Sequence, residues 1–240
     1  ALSVPGGLEK HWVHYLAWAV ITVLSETMWL TTLSGGGTVS MASTVNLTTV
    51  ALWGQAPALW IGAVSTLFAV LFVQRKPWVR AVFNTSQTTV TLWAAAAAFR
   101  AMGGIPTGLD PRGILPGNEF LALRMAPAFI ALFVAYLLVN RMLVGVAVAW
   151  SSDRPYLRTL REDWFYTERL LEDAAAFLLS PLMLISFGAI RYVGVVLFYI
   201  PLQMLHESAR RHLELRSAQQ QLIHTERMAA KGEMAAEIGH

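Results

Sequence analysis

Long apolar runs separated by short basic loops leave this chain one kind of fold. A helix that crosses a bilayer needs ~20 mostly apolar residues. Seven such segments can be drawn: about Trp12 to Leu33, Val39 to Trp53, Ala58 to Val73, Val82 to Met102, Phe120 to Trp150, Ala174 to Phe187 and Val193 to Leu205. Hydrophobic residues are 55% of the chain and charged residues 14%, against roughly a quarter charged in soluble domains. Mean hydropathy is +0.50. This excludes a soluble enzyme built round one large core. With no cysteine, disulfides, thiol catalysis and Cys-based metal sites are excluded too. The expected fold is all-α: a polytopic transmembrane bundle continuing into a long cytoplasmic, dimeric coiled-coil helix.

Two segments depart from a plain span. The second is short and carries Ser40, Ser43, Thr44, Thr48 and Thr49. Small residues let helices approach closely, so it reads as a packed inner helix. The fifth is too long for one upright span and is expected to tilt, or to break near Asn140 and Arg141. Pro181 and Pro201 lie in the last two segments, where proline frees a backbone carbonyl and kinks a helix. The opening, Ala1 to Gly7, lacks the form of a signal peptide, and the natural start is expected upstream.

Orientation follows from where the cations lie. Arg75, Lys76 and Arg80 fall in one loop, Arg154, Arg158, Arg161 and Arg169 in another, and Arg210, Arg211 and Arg216 after the last span. The loops between them hold one Arg each, Arg112 and Arg191. Cation-rich loops stay in the cytoplasm, which puts the C-terminus inside. After the last span the chain is dense in Leu, Ala, Gln, Glu and Arg, which favour helix. Leu215, Leu222, Ala229 and Ala236 are seven apart, as are Ala218, Thr225 and Gly232. That is a heptad seam with a weakly apolar second position. Both charge signs on its polar faces favour a dimeric coiled coil over a lone surface helix.

The tail then runs Thr225-Glu-Arg-Met-Ala-Ala-Lys-Gly-Glu-Met-Ala-Ala-Glu-Ile-Gly-His240. This resembles the opening of the dimerisation and phosphoacceptor helix of bacterial sensor histidine kinases. The resemblance implies that His240 is the phosphoacceptor. An imidazole with pKa ~6.5 is largely neutral at cytoplasmic pH and offers a nitrogen nucleophile. Three further motifs, Ser34-Gly-Gly-Gly-Thr-Val-Ser40, Val82-Phe-Asn-Thr-Ser-Gln87 and Leu138-Val-Asn-Arg-Met-Leu-Val144, resemble in order a multi-helix membrane input domain. That domain is shared with HD-type phosphohydrolase and diguanylate cyclase signalling proteins. The implied organisation is a sensor over residues 1–205, a signalling helix over 206–227 and the start of the phosphoacceptor domain over 228–240. Implied partners are a second copy, a response regulator, the bilayer of the bacterial inner membrane and a small-molecule ligand. No nucleic acid is implied.

Polar groups at membrane depth usually face a cavity or a partner. Glu26, Asn46, Asn84, Gln87 and Asn140 are the candidate ligand residues. Hydrogen bonds between helices and helix-end capping at Asn84 and Gln87 are the structural alternatives. Arg100 and Arg124 read as snorkelling from span ends. His11 and His14 read as interfacial rather than as a metal pair, and the tail histidines His206, His212 and His224 lack chelating spacing, so no metal is expected. No phosphate-cradling Gly-rich loop or Mg-binding acidic cluster occurs. ATP and Mg are expected only for a catalytic domain beyond residue 240. The rival reading is a substrate-binding membrane subunit or transporter whose tail is a linker.

Overall fold

The computed structural model describes residues 8–27, 29–31, 38–108, 119–164 and 167–200, and beyond them Met204, Leu215, Gln219 and Gln221. Side chains are described over 11–26, 41–108, 125–159, 161 and 178–200 and at those four later residues. The architecture is helical. In chain order come α1 (Leu8–Thr27), a hairpin of β1 (Trp29–Thr31) and β2 (Thr38–Ser40), α2 (Ala42–Trp53), α3 (Gln55–Phe68), α4 (Trp78–Ala101), α5 (Glu119–Ser152), α6 (Tyr156–Trp164) and α7 (Thr167–Ile190). A last described helix, α8, occupies 192–200.

The all-α expectation is met except at the hairpin. There Trp29 pairs with Ser40, Leu30 with Val39 and Thr31 with Thr38, antiparallel. The first apolar segment therefore ends as helix at Thr27, and the second begins as strand before α2. α2 is only 12 residues long and buried almost throughout, from Thr44 to Leu52 without interruption. It packs against α1, α3, α4 and α7. Its hydroxyls turn to the backbone one turn back: Thr48 donates to the Thr44 carbonyl and Thr49 to that of Val45, each at 2.7 Å. This satisfies donors that a closely packed interior gives no water to bond.

Gly54 joins α2 to α3 with φ +79°, a conformation that costs glycine little. The loop after α4 closes over the end of α2, where Thr107 N–H donates to Ala51 O at 3.0 Å and Gly108 N–H to Leu52 O at 2.7 Å. Helix termini leave such carbonyls without intrahelical donors. α3 ends in a π-helical turn, Ala69–Val73. α5 runs unbroken for 34 residues past Asn140 and Arg141, about 50 Å at ~1.5 Å per residue. The break expected near Asn140 and Arg141 is absent.

The core gathers Trp18, Leu47, Val50, Leu52, Leu92, Phe99, Leu132, Met183 and Phe187. Thr22, Ser25, Asn46, Ser65, Thr66, Thr91 and Ser180 are buried among them, while Trp60, Val64, Phe72, Ile130, Met142 and Val146 are exposed. Two described helices, Gln55–Val73 and Met125–Ser152, are long and apolar enough to cross a membrane.

Candidate functional site

Four of the sequence candidates lie along one seam. On α4, Asn84, Gln87 and Thr91 follow i, i+3, i+7 spacing and share a face. Gln87 Nε2 donates to Asn140 Oδ1 on α5 at 2.7 Å. One turn earlier on α5, Tyr136 OH donates to Ser43 Oγ on α2 at 3.2 Å. Asn84 is half-buried on the same stripe. Asn46, one turn beyond Ser43, is 2% exposed. Its Oδ1 has no hydrogen-bond partner among the described residues. Asn46 lies where α3 and α4 meet: a Cβ built at Gly62 would stand 3.7 Å from Asn46 Oδ1 and 3.6 Å from Thr88 Cγ2. The Oγ1 atoms of Thr66, Thr85 and Thr91 are likewise buried without a partner among the described residues. The seam thus offers amides and hydroxyls, which can bind and orient a neutral polar molecule or water but supply no nucleophile with a base beside it.

Glu26 belongs elsewhere. It sits at the end of α1, where its charge acts on both Lys76 in the α3–α4 loop and the Tyr199 phenol on α8. Burial pulls the Lys76 ammonium below its ordinary value, Arg80 adds to that, and Glu26 opposes both. Next to Glu26, Ser25 Oγ and Tyr199 OH share a hydrogen bond. Tyr199 OH also donates to the Ile21 carbonyl at 3.2 Å.

The opposite end of α1 carries an aromatic cluster. His14 Nδ1 is 2.6 Å from Tyr192 OH, and the two rings stack with centroids 5.8 Å apart and planes 7° from parallel. Trp53 stacks on His14 at 6.0 Å and meets Tyr15 edge-on at 5.3 Å. His11 lies 6.1 Å from His14 and 6.2 Å from Trp53. Nearby on the chain, Arg100 Nη2 donates to Gln55 Oε1, so this arginine has a defined partner at its span end.

Tyr192 and Tyr199 are the residues that the sequence reading passes over. They are seven apart on α8 and meet His14 and Ser25, eleven apart on α1. Aromatics at segment ends look like an interfacial belt, which hides a specific contact; the seven-residue repeat is the signal that could have found them. An apolar groove of about 530 Å³ between α7 and α8, lined by Leu182, Ile185, Ser186, Ile190, Gly194 and Leu197, suits hydrocarbon rather than a polar ligand. His240 lies outside the described residues. Among the described residues, no three His, Asp or Glu side chains converge as metal ligands do. Comparison with family models, with curated proteins and with solved structures found no match.

Proposed function

We propose that this chain is the membrane sensor part of a bacterial two-component sensor histidine kinase, passing a ligand or membrane signal to phosphorylation of His240. The observation that carries the reading is the helix after Tyr192. It is tied to α1 at Tyr192 and Tyr199, is helical again at Met204, Leu215, Gln219 and Gln221, and leads in sequence to the Thr225–His240 run. A shift of α8 against α1 would move that tail. The membrane setting is supported by a core holding Thr, Ser and Asn while large aliphatic and aromatic side chains face outward. In water that exposure is unfavourable; in lipid it is the expected arrangement.

Seven passes, with α2 as the short inner one, give an outside N-terminus and a cytoplasmic C-terminus in the inner membrane. Glu26 and Lys76 then face the cytoplasm and His14 the outside. The tail seam pairs two copies, ATP and Mg bind a catalytic domain beyond residue 240, and a response regulator accepts the phosphoryl group. In full-length protein incubated with labelled ATP, an alkali-stable, acid-labile label should appear and vanish in His240→Gln. Equal labelling of that variant would end the proposal. One feature favours the rival, a substrate-binding membrane subunit: the unpartnered Asn46 and Thr91 atoms of the interior seam. Substrate uptake into vesicles without any label at His240 would decide for it.

A further inference from the structure

Among the described residues, polar contacts at two tyrosines hold α8 to α1: Tyr192 to His14, and Tyr199 to Ser25 and the Ile21 carbonyl. Residues 14, 18, 21 and 25 of α1 form one stripe at i, i+4, i+7 and i+11, and Tyr192 and Tyr199 share a face of α8. Between the contacts α7 supplies an apolar ring: Trp18 meets its Phe187 edge-on at 5.4 Å, and Phe187 meets Tyr192 at 5.4 Å. The contacts are about 16 Å apart along α1 at ~1.5 Å per residue. The inner one joins two hydroxyls, Ser25 and Tyr199. The outer one includes an imidazole, the side chain whose charge changes near neutral pH.

We propose that His14 is a proton-binding site that controls how α8 docks on α1, so that acidity on this side of the molecule is a stimulus. Among the described residues, the groups facing His14 are few. From α1 comes His11, from α2 Trp53, from the α7–α8 turn Arg191, and from α8 Tyr192. Apart from the Tyr192 phenol, the charged or protonatable members, His11 and Arg191, are both of cationic type. A neutral His14 fits between the Trp53 and Tyr192 rings and bonds the Tyr192 hydroxyl. A protonated His14 sets a new positive charge beside Arg191, with no carboxylate in that set to balance it. The Trp53 face attracts the imidazolium and keeps it beside α2, so the repulsion falls on the turn. Arg191 sits in that turn with φ +57°, a left-handed conformation that carries a conformational cost for a residue other than glycine. Its guanidinium lies over the Phe187 ring at 6.0 Å. The turn is therefore the part able to yield, and it starts α8.

The side of the membrane and the output rest on the sensor reading; the docking change does not. The chain has no cysteine, so two spin labels can be placed at Val13→Cys and Val193→Cys, both more than half exposed. In nanodiscs, the label separation is read from roughly pH 8 to pH 5, which brackets a free imidazole's pKa of ~6.5. The separation should change along a one-proton curve. His14→Gln, which keeps a hydrogen-bonding side chain, should hold the neutral-pH separation throughout. Arg191→Gln, which removes the charge opposing the imidazolium, should likewise hold the neutral-pH separation at acid pH. An unchanged titration in His14→Gln, or a separation that does not move with pH, would overturn the proposal. A pH-dependent separation lost in His14→Gln, without label at His240 in the full-length protein, keeps the switch and removes the kinase reading.

Discussion

Gln87 and Asn140 show what a buried amide pair does between two helices. Each is polar at a depth where water is scarce, and each satisfies the other across α4 and α5. Interhelical hydrogen bonds in membranes average about 0.6 kcal/mol and reach about 1.7 kcal/mol. Asn140→Leu should therefore lower stability by about 1 kcal/mol, and the cycle with Gln87→Leu should return most of that as coupling. Steric-trapping unfolding in bicelles measures both; zero coupling would make the contact incidental. Asn46 poses the reverse case. A buried acceptor without a partner is destabilising, so Asn46→Leu should leave the empty protein as stable or more so, by up to about 1 kcal/mol, and should abolish any thermal shift given by a polar ligand. A clear loss of stability would instead mean that Asn46 is held by bound water. These residues were legible because an amide in an apolar run stands out. Their partners were not, since nothing in Asn140 or Gln87 alone says which helix each one faces.

At the level of elements, apolar run length revealed most of the helices, and polarity alone misled where it suggested an end. Asn140 and Arg141 looked like a break in α5, yet Gln87 gives Asn140 a partner inside the bundle and the helix continues. The hairpin was hidden for another reason: three-residue strands have too few residues to show a period, and Ser34–Ser40 reads as a glycine-rich turn. The α7–α8 packing gives a direct test. A Cβ at Gly194 would collide with the Ser186 carbonyl oxygen on α7. Backbone cannot swing aside as a side chain can, so Gly194→Ala must push α8 away from α7. Overpacking typically costs about 1–3 kcal/mol. The expected result is a lower melting temperature with faster amide exchange in residues 192–200. A variant as stable and as protected as the parent would mean that the two helices are not so tightly apposed.

For the whole molecule, the arrangement of charge decides what the two ends of α1 can do. Lys76 and Glu26 meet at one end, and His14 with Arg191 at the other. In the orientation proposed above, the cation-rich loops put the first end in the cytoplasm and the second end outside, with α8 directed inward to the tail. Single cysteines test this without assuming any activity. Arg75→Cys and Asp153→Cys should react with a membrane-impermeant maleimide only after the cells are opened, whereas Thr107→Cys should react in intact cells. Arg75 and Thr107 flank α4, and Thr107 and Asp153 flank α5, so the three positions read two successive crossings. If all three reacted from the same side, neither α4 nor α5 would cross the bilayer. The helices would then lie within it or beside it, and the proposed seven-pass arrangement would fail.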